Sequence, residues 1–227
     1  MNEKKDQENL CLEVLKKLHK VGVLQDLILV GSWCVYFYKD LLKNSKYVST
    51  VRTTDIDFLI QTPPKISTSV DLPELFKELD FIPDHRSSGL IKLIHPQLTI
   101  EFLVPEKGKG DSGPYPIKAL KITAQPLRFM NLLTDQLVIL KTQGMMLRLP
   151  HPANYAFQKL IISNRRKKPE KRDKDRRQAI DILEAMDNNA FEEAKIILKS
   201  LPSNWQKTIL NTLVKIQENT LTDRLVN

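Results

Sequence analysis

The sequence predicts an α/β (α+β) protein in which a strand-rich core with flanking helices is followed by a helical C-terminal subdomain. Short apolar runs of strand length are spread through residues 27–149, and apolar residues recur at helical spacing from Pro152 onward. Strands first and helices afterwards are typical of this class. The prolines at 150 and 152 mark the boundary, so we predict a core at residues 1–149 and a helical subdomain at residues 150–227.

The elements follow from local patterns along the chain. An amphipathic helix is predicted over residues 9–20, and a short buried strand over 27–30. Gly31-Ser32 then forms a turn into a helix, with Ser32 as its N-cap. Further strands are predicted at residues 55–60, 90–94, 98–104, 118–122, 136–141 and 145–149. Further helices are predicted at residues 72–79, 152–163, 170–186, 189–199 and 204–217, and residues 105–116 are predicted to be a surface loop.

Composition excludes several classes of protein. The longest apolar stretch, residues 27–38, contains Gly31 and Ser32 and is shorter than the ~20 residues of a membrane span. The charged first residues lead into no apolar signal core, which favours a cytoplasmic protein without a membrane partner. Two cysteines and four dispersed histidines give neither a disulfide framework nor a zinc site, so any metal should be bound by oxygen.

Positive charge is concentrated in one part of the chain. The formal net charge is +8, and residues 151–177 hold ten Lys or Arg side chains against three acids. We call Arg165 to Arg177 the basic segment. Clustered cations favour a polyanion such as a nucleoside triphosphate or RNA, because they raise the local anion concentration and release counterions on binding. A solvated charged helix is the alternative.

The segment Asp55-Ile56-Asp57 is the most informative part of the sequence. On a strand, residues two apart share a face, so the two aspartates lie about 6.6 Å apart. At an effective dielectric of 20 their repulsion is roughly 2.5 kcal/mol, which a divalent cation would relieve. The alternative is a solvated strand end.

A third acid and a phosphate-type turn complete the pattern. Glu101 alternates with Ile100 and Phe102, so it is expected on the polar face of its strand. If this strand lies beside that of Asp55 and Asp57, three carboxylates converge. Gly31-Ser32 at a helix start allows close approach of a phosphate to backbone N–H groups.

With these residues the chain resembles the polymerase-beta-type nucleotidyltransferase superfamily. Its signature is a Gly-Ser or Gly-Gly turn, an acidic pair alternating on the next strand and a third acid on a later strand. A closer resemblance, spanning residues 27–183, is to uncharacterised bacterial nucleotidyltransferase-like proteins, and a more distant one to AbiEii-type toxin nucleotidyltransferases. The downstream motifs that carry it are Gln125-Pro126-Leu127-Arg128, His151-Pro152-Ala153 with Phe157-Gln158-Lys159-Leu160-Ile161, and Lys171-x-x-Lys174-Asp175-x-x-Gln178-Ala179.

The resemblance implies a nucleotidyltransferase-fold mixed sheet and a role for each site residue. Asp55 and Asp57 would hold Mg²⁺ ions, with Mn²⁺ as the alternative metal, and Glu101 would complete one metal site and help to deprotonate the attacking hydroxyl. Gly31 and Ser32 would contact the NTP triphosphate.

Two lysines of the helical part are also implied as neutralisers of phosphate charge, Lys159 and Lys174. A surface lysine lying along apolar neighbours is the alternative for Lys159. In the same region Lys171 and Asp175 are four residues apart, so they could form a helical ion pair.

The leading hypothesis is a Mg²⁺-dependent transfer of a nucleoside monophosphate from an NTP to a hydroxyl. The acceptor is RNA, a protein or a small molecule, and the basic segment is the candidate for recruiting RNA or protein. Two alternatives stay open: a catalytically silent nucleotide- or RNA-binding module, and the toxin of a toxin–antitoxin pair, which would use the same chemistry.

Overall fold

The computed structural model describes residues 3–42, 53–106, 108 and 113–226. These residues fall into two compact units. The first contains residues 3–36 and the described residues from 53 to 150, and the second contains residues 37–42 and 151–226. The interpretation of residues 1–149 and 150–227 as domains stays a prediction.

The first unit is built on a mixed sheet. Among the described residues the strands of this unit are β1 (Ile28–Val30), β2 (Asp55–Leu59), β3 (Ile82–His85), β4 (Ile91–Ile94), β5 (Thr99–Pro105), β6 (Tyr115–Ile117), β7 (Ile122–Leu127), β8 (Leu137–Thr142) and β9 (Met145–Pro150). Strands β8 and β9 form a separate two-stranded sheet. The main sheet has the order β1-β2-β5-β4-β3, β7 joins β5, and β6 pairs with β7. The pairs β2–β5 and β5–β7 are parallel and the others antiparallel, which confirms the mixed sheet.

Three helices accompany these strands: α1 (Glu3–Lys20), α2 (Gly31–Leu42) and α3 (Leu72–Lys77). Helix α1 is longer than predicted, and residues 37–42 of α2 belong to the second unit. Helix α2 begins at Gly31, with Ser32 already inside its first turn. The prediction of Ser32 as the N-cap is therefore wrong, because Ser32 is the second residue of the helix.

Three strands depart from the sequence analysis. The loop predicted for residues 105–116 ends in strand β6, which begins at Tyr115. The predicted strand at 118–122 is wrong, because Lys118–Leu120 forms a 3₁₀ turn and Lys121 is left-handed (φ +50°), so β7 begins only at Ile122. Strand β3 was not predicted. It lies at the edge of the sheet with Ile82 70% exposed and a proline inside it, so it carries no buried alternating pattern.

The buried residues of the sheet show on which face the acidic side chains lie. Ile56, Phe58, Ile100 and Phe102 on β2 and β5 are at most 1% exposed. Phe58 and Phe102 are register partners and stack with their ring centroids 5.9 Å apart. Because side chains alternate along a strand, the acidic residues between them point to the opposite face.

The second unit is helical in the part described. After the end of α2 it contains α4 (Pro152–Ser163), α5 (Pro169–Ala185), α6 (Asn188–Ser200), α7 (Ser203–Lys215) and α8 (Asn219–Val226). The first four of these were predicted within two residues at each end, and α8 was missed. His151 caps α4 by accepting the N–H of Ala153 at its Nδ1, and Tyr38 meets Tyr155 edge to face at 5.6 Å.

Within the described residues, every helix is too short or too polar to cross a membrane.

Candidate active site

The three predicted acids lie on one face of the sheet. Parallel pairing of β2 with β5 places Asp57 opposite Glu101 and Asp55 opposite Thr99. All three acids are partly exposed, while their strand neighbours Ile56 and Ile100 are fully buried. The structure therefore brings Asp55, Asp57 and Glu101 together on two neighbouring strands, as the sequence pattern requires.

Gly31 approaches this face from the end of β1. Antiparallel pairing places Val30 opposite Asp57, so Gly31 follows directly beside that carboxylate. A Cβ atom built on Gly31 would lie 2.1 Å from Asp57 Oδ2, and the backbone at Gly31 is left-handed with φ +69°. Both observations require glycine at this position. Ser32, 8% exposed, follows in the first turn of α2.

A lysine that the sequence analysis did not single out engages Glu101. The Lys92 Nζ donates to Glu101 Oε1, and the two side chains are 24% and 18% exposed. Register pairs Leu93–Ile100 and Ile94–Thr99 of the β4–β5 hairpin put Lys92 directly across from Glu101. The sequence alone did not give this pair, because the predicted turn at His95-Pro96 leaves the register open, and the observed hairpin is centred one residue later, between Pro96 and Gln97.

The same line continues to the edge of the sheet. Lys92 is the register partner of Asp84 on β3, so Asp57, Glu101, Lys92 and Asp84 follow one another across four strands. Residues directly opposite one another in a sheet share a face, so these charges form a row. Asp84 itself is paired with Arg86 at 2.5 Å.

The residues fit a metal ion in part. Asp55 and Asp57 supply carboxylate oxygens, the donors that Mg²⁺ and Mn²⁺ prefer. Across the part of the chain that the structure describes, no group of three His, Cys, Asp or Glu side chains is arranged to hold a metal. Glu101 is in an ion pair with Lys92, and its role as a metal ligand, like those of Asp55 and Asp57, stays a prediction.

Lys159 lies in the second unit and forms an ion pair there. Its Nζ is 2.8 Å from Asp175 Oδ1, and Arg166 Nε is 2.7 Å from Asp175 Oδ2. The Asp175 side chain is 5% exposed and that of Lys159 12%. The alternative of a surface-lying Lys159 is wrong, and so is a Lys171–Asp175 pair, because Asp175 turns towards the core and binds these two cations.

Lys174 is exposed on α5, the helix that also contains Asp175. Most of the other cations of the basic segment are exposed as well. The segment begins after α4 and runs into α5. Within it, Arg166 is held by Asp175, and Arg172 Nε lies 3.4 Å from Asp173 Oδ1. The nucleotide-binding roles of Lys159 and Lys174 stay predictions.

Comparison with known families identifies the class. A family model described as nucleotidyltransferase matches residues 9–198, which is most of the chain. The chain belongs to the nucleotidyltransferase family, whose enzymes transfer a nucleoside monophosphate group. Among curated proteins no sequence matches this chain.

One solved structure supports this fold, and a second is more distantly similar. The crystal structure of an antigenic nucleotidyltransferase-like protein from Paracoccidioides brasiliensis matches with a TM-score of 0.57 at 16% identity, covering 97% of this chain and 92% of that one. The solution structure of the antibiotic-resistance factor ANT(2'')-Ia matches with a TM-score of 0.45 at 10% identity, covering 95% and 97% of the two chains. The closer resemblance to bacterial and AbiEii-type proteins stays a prediction.

Proposed function

We propose that this protein is a Mg²⁺-dependent nucleotidyltransferase that moves a nucleoside monophosphate from an NTP to a hydroxyl group of an acceptor, with Mn²⁺ able to replace Mg²⁺. The observation that carries the proposal is the register of β2 and β5, which places Asp57 beside Glu101 with Asp55 on the same face. Carboxylates grouped at the end of a strand–turn–helix unit are suited to metal-assisted phosphoryl transfer.

The protein's own groups would position the triphosphate. Gly31 has no side chain of its own, so the backbone of the turn lies directly against the Asp57 carboxylate, beside which the phosphates would approach. Ser32 and the N–H groups at the start of α2 favour anions through the helix dipole. When bound by Asp55 and Asp57, the divalent ion supplies positive charge against the triphosphate oxygens.

Glu101 is proposed to act as the proton acceptor of the reaction. As the neighbour of Asp57, its carboxylate would accept the proton of the attacking hydroxyl as the new ester bond to the α-phosphorus forms. The bond to pyrophosphate breaks in line with that attack, and pyrophosphate carries away the leaving charge. Such a reaction depends mainly on positioning and electrostatics.

The acceptor is proposed to be recruited through charge. The basic segment, Arg165 to Arg177, presents exposed cations on α5 and in the loop before it, including Lys167, Lys168 and Lys171. This favours a polyanionic acceptor such as RNA over a neutral small molecule, and an acidic protein is the other acceptor of this chemistry. Lys174 is proposed to contribute to phosphate binding from the same segment.

The experiment is transfer of label from each α-³²P-labelled NTP to total RNA or to protein, with Mg²⁺ and with Mn²⁺. Asp57→Asn removes one charge at the site, and Asp80→Asn is the matched control on an exposed aspartate away from this row. We expect label transfer by the wild type and by Asp80→Asn, and a loss of at least about a hundredfold in Asp57→Asn.

Two other results would change the proposal. Thermal stabilisation by Mg²⁺ and NTP without any transfer would identify a silent nucleotide-binding module. Equal behaviour of the wild type and Asp57→Asn in both assays would rule out the whole site.

A further inference from the structure

The carboxylate of Glu101 is held by a lysine of the neighbouring strand. Lys92 lies directly across the β4–β5 hairpin from Glu101, on the same face of the sheet. Its ammonium group donates to Glu101 Oε1, and both side chains are more than three-quarters buried. Because a partly buried ion pair is screened less than a surface pair, this contact restrains the direction of the carboxylate.

The backbone that carries Lys92 is itself fixed by the sheet. Lys92 is the register partner of Asp84 on β3, and the backbone N–H of Ile91 donates to Thr123 Oγ1 on β7 at 2.8 Å. The Thr123 hydroxyl in turn donates to the Gly89 carbonyl at 3.0 Å. These contacts tie the start of β4 to β7, so the point from which the Lys92 side chain reaches Glu101 is set by the sheet.

The contact distinguishes the two oxygens of Glu101. Asp84 does not compete for the ammonium group of Lys92, because its Oδ2 is bound by Arg86 Nε at 2.5 Å. Within the part of the chain that the structure describes, Lys92 is the only group bonded to the Glu101 carboxylate. Oε1 is therefore engaged, and Oε2 has no hydrogen-bond partner among the described residues.

Restraint of this kind matters for a group that accepts a proton. A glutamate side chain has three rotatable bonds, and it loses rotamer freedom when it must take one geometry. Proton transfer requires the accepting oxygen to lie within hydrogen-bonding reach of the proton in a correct orientation. By holding Oε1, Lys92 limits the directions in which Oε2 can point before any substrate is bound.

We propose that Lys92 is a positioning residue, which holds Oε1 of Glu101 so that Oε2 is oriented to accept the proton of the attacking hydroxyl. This inference rests on the proposed function, because it concerns the same reaction. The hydroxyl proton passes to Oε2 as the hydroxyl oxygen bonds to the α-phosphorus, and the bond from that phosphorus to pyrophosphate breaks. Lys92 keeps its protons throughout and acts only through Glu101.

Steady-state kinetics of label transfer test the inference. An α-³²P-labelled NTP is varied in the presence of Mg²⁺ and an excess of total RNA or total protein, whichever the wild type labels. Lys92→Met removes the charge and keeps a side chain of similar length. We expect kcat to fall about tenfold to a hundredfold and the KM for NTP to stay within about threefold of the wild type, because a misplaced proton acceptor slows the chemical step without weakening NTP binding.

A double variant shows whether Lys92 acts through Glu101. Glu101→Gln removes the proton acceptor, and Lys92→Met combined with Glu101→Gln replaces the ion pair by a neutral pair of similar size. We expect the double variant to have a kcat within about threefold of that of Glu101→Gln alone, because the group that Lys92 positions is already absent. A further tenfold loss of kcat, or a rise of KM, in this background would show that Lys92 contacts a substrate itself, and it would overturn the inference.

Controls separate positioning from a contribution to stability. Lys92→Arg retains a cationic donor across the hairpin, so it should restore kcat to within about fivefold of the wild type. A lysine needed only for stability would leave Lys92→Met with the wild-type kcat when it is assayed well below its Tm, which would also overturn the inference. Lys77→Met is the matched control and should behave as the wild type, since Lys77 is an exposed lysine paired with Glu74 on α3.

The result stays interpretable if Lys92→Met does not fold. The double variant contains no unpaired charge, so its comparison with Glu101→Gln is still available, and Lys92→Arg keeps the ion pair. If the wild type transfers label but Lys92→Met or the double variant gives one of the opposing results, only the role of Lys92 is wrong. If the wild type and Lys77→Met transfer no label with any NTP, the proposed function fails and this inference fails with it.

Discussion

Gly31 and Asp57 are in contact across the β1–β2 pair, at a separation that leaves no room for a methyl group. The ideal position of a Cβ atom on Gly31 lies 2.1 Å from Asp57 Oδ2 and 3.1 Å from Asp57 Cγ. The backbone at the start of helix α2 is therefore packed directly against the Asp57 carboxylate. A change at residue 31 must move either the backbone of the turn or the carboxylate.

Gly31→Ala should accordingly abolish metal-dependent nucleotide binding and destabilise the fold. A left-handed backbone alone costs a non-glycine residue about 1–2 kcal/mol, and displacement of Asp57 adds to that cost. Thermal shift with Mg²⁺ and NTP, together with urea unfolding, measures the two effects.

Gly144→Ala is the control for the backbone effect. Gly144 has φ +77° in the β8–β9 turn, and nothing lies within 4 Å of its Cβ position. We expect this variant to lose about 1–2 kcal/mol and to retain nucleotide binding. If Gly31→Ala binds nucleotide as well as Gly144→Ala does, the contact between Gly31 and Asp57 does not contribute to nucleotide binding.

Asp175 should be a structural anchor of the second unit. Its side chain is 5% exposed and forms ion pairs with both Lys159 and Arg166. Removing one member of a buried ion pair leaves uncompensated charge, so Asp175→Ala should lower the free energy of unfolding by about 3–5 kcal/mol in urea denaturation.

Asp173→Ala, also on α5, is the matched control for Asp175→Ala. Asp173 is 57% exposed and lies 3.4 Å from Arg172, so its loss should change stability by less than about 1 kcal/mol. Equal effects of the two substitutions would mean that the Asp175 network does not stabilise the unit.

Asp71 should make the stability of helix α3 depend on pH. Its carboxylate accepts the Glu74 N–H as N-cap and pairs with Lys121 at 2.8 Å. Hydrogen bonding by Lys121, and then by the Glu74 N–H, lowers the pKa of Asp71 from the ordinary value of 3.8. Stability from this group is therefore fully present above pH 3.8 and is lost as the pH falls through the lower folded-state pKa.

The measurement is the difference in Tm between the wild type and Asp71→Ala as a function of pH. We expect a constant difference above the ordinary pKa and a shrinking one below it. Asp71→Asn retains a capping oxygen without the charge, so its difference from Asp71→Ala should not vary with pH in this range. A difference between the wild type and Asp71→Ala that persists unchanged in acid would contradict the assignment.

The sequence was most informative where one face of an element is buried. Alternation along β2 and β5 identified Asp55, Asp57 and Glu101, because residues such as Phe58 and Phe102 must point into the core. Strand β3 and the 3₁₀ turn at Lys118–Leu120 gave no such signal. An exposed edge strand and a left-handed residue depend on the neighbouring chain more than on local pattern.

Charged side chains were the least predictable part. Local spacing suggested Lys171 as the partner of Asp175, whereas the structure pairs Asp175 with Lys159 and Arg166. Ion pairs between elements depend on how helices pack, and a one-dimensional pattern contains only the contacts within a helix.

The sequence by itself determined the class of fold, the family and the presence of an acidic pair after a glycine turn, because these depend on local periodicity and on motif residues. Only the tertiary structure decided which charges meet. The parallel pairing of β2 with β5 sets Glu101 beside Asp57, and the β4–β5 hairpin sets Lys92 on Glu101. The physical reason is that strand register is fixed by long-range hydrogen bonding and core packing, which bring together residues that are distant in the chain.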